Sequence, residues 1–190
     1  MSCCKYAEFE QQLAFHTAPA LLGIKSANLF SVSSTDFDVD AIADYFNART
    51  FSRGLRMKIL CACEKRVLIL LYNKKSLTEQ IEEKERRSVL RKFGYDDSMT
   101  LDECLERLSG RISDNGDFPH EIGLFLNYPV EDVVGFIENK GGNFKLCGYW
   151  KVYGNEEKAR RTFENYTKCR KFLCRKLSQG NDIYQALKIS

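Results

Sequence analysis

LRMKILCACEKRVLILLY, Leu55–Tyr72, sets the architecture. From Leu55 to Cys63, Leu55, Met57, Ile59, Cys61 and Cys63 are apolar while Arg56 and Lys58 are basic. A period of two puts these sets on opposite faces of a strand. Glu64-Lys65 supplies a tight connection. Val67–Tyr72 is then almost continuously apolar, as a central strand covered on both faces is. The pair predicts an antiparallel hairpin at the heart of a small sheet.

On the N-terminal side, Tyr6, Phe9, Leu13 and His16 fall near one helical face and predict a helix over 5–16. Thr17 and Pro19 then open a turn that ends near Gly23. Ala27–Ser33 reads as a short strand. Asp38 begins a helix whose Val39, Ile42, Ala43 and Phe46 keep amphipathic spacing.

Beyond the hairpin, two capping boxes announce helices: Ser76 with Glu79, running to about Phe93, and Thr100 with Glu103, running to about Ile112. The first is so polar between Glu82 and Arg87 that it reads as a surface helix. Asp117 caps a short helix to about Leu126. Asn127 caps another, with Pro129 in its first turn and Gly141-Gly142 at its end. Phe144–Tyr153 reads as the last strand, with Phe144, Leu146, Gly148, Trp150 and Val152 on one face. Lys145, Cys147, Tyr149, Lys151 and Tyr153 occupy the other. Asn155 starts a long helix to about Leu177, and Gly180 breaks it before a short terminal helix. Strands and helices do not alternate, which disfavours a doubly wound sheet. The prediction is an α+β fold. A small, mainly antiparallel sheet of about four strands is covered by helices, with a long C-terminal helix, in a single domain over residues 1–190.

Hydrophobic residues make up 44% of the chain and charged residues 29%, the usual balance of a globular protein. No apolar run approaches the ~20 residues of a membrane span. The opening residues carry acids where a signal peptide needs an apolar stretch, which predicts a cytoplasmic protein with no membrane partner. Residues 151–190 hold ten Lys/Arg and four Asp/Glu, so that segment is +6 and the other 150 residues are −3. A basic helical end suits nucleic acid or an acidic partner. A solvated helix face is the commoner cause, which makes nucleic acid the less favoured partner.

The eight cysteines include no CxxC pair. In a reducing compartment they are thiols, and the commoner fate of such thiols is burial as small apolar residues. No phosphate-cradling glycine loop, nucleophile elbow or fixed-period repeat is present.

Three segments resemble a bacterial family designated domain of unknown function 3793 (DUF3793). They are His16-Thr-Ala-Pro through Lys25-Ser-Ala-Asn28-Leu-Phe30, Phe118-Pro-His-Glu-Ile-Gly-Leu-Phe-Leu126, and Lys145-Leu-Cys-Gly-Tyr-Trp-Lys-Val-Tyr153. Asn127 stands where the family pattern has glycine. Asparagine tolerates the left-handed backbone or serves as a cap, so the turn can survive. The resemblance implies no assigned activity. It does imply an association with redox or iron biology, with a flavodoxin or an iron-related protein as partner.

His16 and His120 are the candidate catalytic acid–base groups, and with Cys147 they are the candidate metal ligands. His120 falls in the first turn of a predicted helix, which favours the neutral, ligating imidazole. Glu121 projects about 100° away from it, so no simple dyad follows. The commoner role for each histidine is that of a hydrogen-bonded packing residue. Lys25 suits a phosphate or carboxylate, and Asn28 a ligand amide or the turn itself. Tyr149 and Lys151 suit a planar ring and an anion, or form the wet side of a strand. Gly148 marks either a close backbone approach or a bulge.

The candidate ligand-binding set is therefore Lys25, Asn28, His120, Glu121, Tyr149 and Lys151. It predicts a binding or accessory protein for a small anionic or aromatic molecule, or for a metal or redox cofactor that the sequence does not identify. One alternative is a small enzyme with a histidine acid–base. The other is an interaction module built on the basic C-terminal helix.

Overall fold

Alternation and apolar continuity produce the expected hairpin: Leu55–Ala62 pairs antiparallel with Arg66–Asn73, whose other side pairs with Ala27–Ser33. The computed structural model describes residues 3–113 and 118–189. In chain order the elements are α1 (Cys3–Leu21), β1 (Ala27–Ser33), α2 (Val39–Arg49), β2 (Leu55–Ala62), β3 (Arg66–Asn73), α3 (Lys74–Ile81), α4 (Lys84–Arg91), α5 (Leu101–Ser113), α6 (Ile122–Phe125), α7 (Val130–Glu138), β4 (Leu146–Cys147), β5 (Lys151–Val152), α8 (Glu156–Ser178) and α9 (Ile183–Leu187). The fold is α+β, with a three-stranded antiparallel sheet ordered β1-β3-β2 and a separate two-stranded ladder β4-β5. Two units form, one within 1–75 and 166–190 and the other within 76–165. Among the described residues no helix is long and apolar enough to cross a membrane.

In the first unit, α1 packs on β1 and β3, and α2 packs on β2. Phe9 and Leu13 of α1, Phe46 of α2, and Phe30, Ile69 and Leu71 of the sheet form one buried cluster. The Leu55–Cys63 alternation fails at Leu60. Ile59 pairs with Ile69 and Cys61 with Leu68, leaving Leu60 as an extra residue. Three apolar residues in succession cannot all face one side, and the bulge buries Leu60 while turning Cys61 to the face opposite Ile59. Cys63 lies beyond the strand and is exposed. The outer edge of β2 is clipped by Asn47, which donates to the Met57 carbonyl (3.0 Å) and accepts from its N–H (2.7 Å).

The predicted turn at Thr17–Pro19 is instead the last turn of α1. Thr17 Oγ1 donates to the Leu13 carbonyl (2.7 Å). Ile24 N–H closes on Pro19 O (2.8 Å) and Gly23 N–H on Ala20 O (3.1 Å), a Schellman ending. Proline so near the helix end sacrifices a single bond. The neighbouring Ala20 N–H donates to the side-chain oxygen of Asn28 (3.2 Å), which fastens the end of α1 to β1.

Lys25 lies buried between them, its ammonium 5.5 Å above the Tyr166 ring.

The second unit corrects three local readings. The helix expected over Ser76–Phe93 starts at Lys74, directly from β3, so Ser76 lies inside it and not at its cap. It ends at Ile81, and α4 restarts after Glu83, whose backbone is extended (φ −55°, ψ 128°). That break turns the supposedly exposed Arg86 and Arg87 inward, and both are buried. Arg86 donates to the carbonyls of Leu124 (3.2 Å) and Tyr128 (3.0 Å) and to Asn127 Oδ1 (2.9 Å). Arg87 donates to the carbonyls of Asp96 (3.2 Å) and Met99 (2.9 Å). Asn127 is not a cap. It takes the left-handed conformation (φ 56°), and Pro129 holds the cap position of α7. The Thr100–Glu103 box forms as read, as does the Asn155 cap of α8. The Asp117 cap lies outside the described residues.

Asn28→Ala should remove the bond that ties the end of α1 to β1 and cost about 1 kcal/mol in urea unfolding. A second expectation concerns pH. Burial pulls the Lys25 pKa down to about 7. Between that pH and the ordinary lysine value near 10.5, the unfolded chain binds more protons there than the native one. Native stability therefore climbs as pH rises through that window, and Lys25→Met should flatten the slope.

Candidate functional site

Residues 118–151 of the second unit surround a cleft of about 420 Å³. Its position follows from a failed strand. The stretch read as one strand, Phe144–Tyr153, is a hairpin in which Leu146 faces Val152 and Cys147 faces Lys151. The chain reverses at Gly148–Trp150 because Gly148 lies against Phe163, where an added Cβ would stand 2.2 Å from the ring. The expected stripe is thereby divided, and Cys147 and Lys151 become cross-strand neighbours.

The opposite wall is built by α6 and α7. Gly123 lets them approach closely, since a Cβ there would meet Val133 at 2.8 Å and Tyr128 at 3.1 Å. Asp132 of α7, itself buried, binds the hairpin through three donors. Trp150 Nε1–H reaches Oδ2 (2.7 Å), while the N–H groups of Tyr153 (2.7 Å) and Gly154 (2.8 Å) reach Oδ1. Trp150 stacks on Tyr128 with ring centroids 4.9 Å apart and an interplanar angle of 26°. Phe163 meets its edge at 4.6 Å. Burial pushes the Tyr128 hydroxyl pKa up to about 12.

His120 is exposed in the turn before α6, not in a helix, and its ring meets Phe136 edge-on at 4.9 Å. Lys151 donates to the Gly141 carbonyl (2.7 Å), and its ammonium lies 5.6 Å from the Phe136 ring centre and 4.9 Å from that of Phe144. Stacked aromatics, an imidazole, an exposed thiol and an ammonium therefore border one cavity.

The other candidates sit elsewhere. Glu121 turns inward and is fully buried. Its Oε1 accepts from the Tyr95 hydroxyl (3.2 Å) and from the Arg111 guanidinium, and its Oε2 has no hydrogen-bond partner among the described residues. Burial, then the Glu121 charge, hold the Tyr95 hydroxyl far above its usual pKa. Tyr149 packs on Phe163 (5.6 Å). His16, Lys25 and Asn28 belong to the first unit. His16 is exposed and edge-on to Phe15 (5.0 Å), and partial burial with Arg170 and Arg66 keeps its pKa below the ordinary value. Among the described residues no three His, Cys, Asp or Glu side chains gather where a metal ion could be held. The cysteines correct the expectation of burial: of the six whose side chains are described, only Cys104 is buried.

Tyr128, Asp132, Phe136 and Trp150 were not singled out as site residues in the sequence. A signal existed: eight of the chain's 23 aromatic residues fall between Phe118 and Tyr153, a fifth of its length.

A family model described as a protein of unknown function, DUF3793, matches residues 13–187. The chain belongs to the DUF3793 family. No curated protein and no solved structure matches it. Two of the three segments that carry the DUF3793 resemblance, Phe118–Leu126 and Lys145–Tyr153, are those that border the cleft.

Asp132→Ala should remove one acceptor shared by three N–H donors and destabilise the protein by about 2–5 kcal/mol. Urea unfolding followed by the fluorescence of Trp150, the sole tryptophan, reads this directly.

Proposed function

We propose that this DUF3793 protein binds a small planar molecule in the cleft of its second unit. The observation that carries the reading is the stacked Tyr128–Trp150 pair, held rigidly by Asp132 and facing a cavity of about 420 Å³. That volume lies in the range of small-ligand sites, and such sites combine apolar walls with a few placed polar groups. Here Phe136, Tyr128 and Trp150 form much of the apolar wall with Ile122 and Val133, and His120 and Lys151 are among the polar groups. Rings buried in preorganised stacks lose little freedom when a flat ligand slides beside them. Charge pairing on α8 favours the small-molecule reading over the basic-helix one. On α8, Arg160 and Arg161 pair with Glu156 and Glu157 one turn earlier, as on a solvated face.

Binding of naphthalene probes, the acid 2-naphthoate and the neutral naphthalene-2-carboxamide, tests this by calorimetry and by Trp150 fluorescence. At least one should bind with a Kd below about 1 mM, near −4 kcal/mol. Cys147→Trp, which fills the cleft from an exposed position, should weaken binding at least tenfold while leaving the thermal midpoint within a few degrees. Failure of both probes to bind the unaltered protein would refute the reading.

A further inference from the structure

We infer that Lys151 makes the cleft selective for charge, so that the ligand is an aromatic carboxylate or a similar planar anion. The inference rests on the small-molecule reading of the cleft and adds the sign and place of the ligand's polar end. Five titratable side chains border the cavity: His120, Tyr128, Asp132, Cys147 and Lys151, of which Tyr128 stays a neutral phenol because burial pushes its pKa up. Asp132 is the one acid, and its carboxylate is committed. Both oxygens accept N–H donors from the hairpin, and the side chain is buried. A carboxylate so saturated has its charge matched by three donor dipoles and little capacity left to attract a cationic ligand.

Lys151 is different. Among the described residues its single hydrogen-bond acceptor is the Gly141 carbonyl, while an ammonium carries three N–H donors. Its flanks are the rings of Phe136 and Phe144, which stabilise the charge and hold no acceptor atom for the other two donors. The ammonium is half-buried, so water screens it less than it would a surface lysine. Its strand is held in place: the Trp150 side chain before it and the Tyr153 N–H two residues after it both bond to Asp132, and Cys147 pairs across the ladder. A planar ligand lying along the aromatic wall meets this cation at one end. A carboxylate there accepts the two remaining N–H bonds, whereas a carboxamide offers weaker acceptance and an ammonium is repelled.

The test compares three probes of one shape: 2-naphthoate, naphthalene-2-carboxamide and 2-naphthylmethylammonium. Affinities are measured on the full chain by calorimetry at fixed low ionic strength. The unaltered protein should bind the acid at least tenfold more tightly than the amide and the cation most weakly, with the preference shrinking as salt rises. Lys151→Gln should bring acid and amide within about twofold, and Lys151→Arg should retain the preference. Equal binding of acid and amide by the unaltered protein overturns the charge assignment while leaving the cleft a ligand site. A preference that survives in Lys151→Gln overturns the assignment to Lys151. Absence of binding by all three probes removes the cleft reading itself, and the charge inference with it. Because the probe series on the unaltered protein decides the sign, the test holds even if a Lys151 variant folds poorly.

Discussion

One buried carboxylate holds the second unit's cavity open. Asp132 sits on α7, and its three acceptor contacts reach a tryptophan side chain and two successive backbone amides of a different segment. A buried charge is tolerated only when hydrogen bonds replace its water, and here three do so. The bonds also fix the angle at which the short hairpin stands beside the helix. Trp150 is thereby presented to Tyr128, and the cavity is the space left between helix and hairpin.

A second polar tie supports that geometry from behind. Arg86 caps the carbonyls of Leu124 and Tyr128 and holds the side chain of Asn127, the residue whose left-handed backbone turns α6 toward α7. Helix ends expose carbonyls with no partner in the helix, and a planar guanidinium can serve several at once. Gln80 adds a further donor to the Leu124 carbonyl. The turn between α6 and α7 is therefore organised by side chains some forty residues earlier.

What was legible in the sequence was local. The hairpin at Leu55–Asn73, the caps at Asp38, Thr100 and Asn155, and the short strand β1 follow from periodicity and nearest-neighbour hydrogen bonding, and they form where the residues indicate. What was not legible depends on partners far along the chain. Nothing in Phe144–Tyr153 announces that Phe163 will press on Gly148 and force a reversal. Nothing in the charged run from Glu82 to Arg87 shows that distant carbonyls await two of its arginines. At the cleft, His120, Cys147 and Lys151 were visible as reactive residue types. Asp132 is an acid in the first turn of α7, an ordinary place for one, and its role appears only when the hairpin folds against it. Glu121 shows the converse: a conspicuous neighbour of His120 in sequence, it is consumed by Tyr95 and Arg111 in the interior.

Asn47 has a consequence for solubility. A strand at the margin of a sheet displays amide and carbonyl groups that invite another chain to add itself. At the middle of β2 the Asn47 carboxamide already occupies both groups of Met57, imitating one residue of an additional strand. The margin is thus closed at its centre by a side chain too short to propagate the ladder, which protects this small sheet from stacking edge to edge into aggregates.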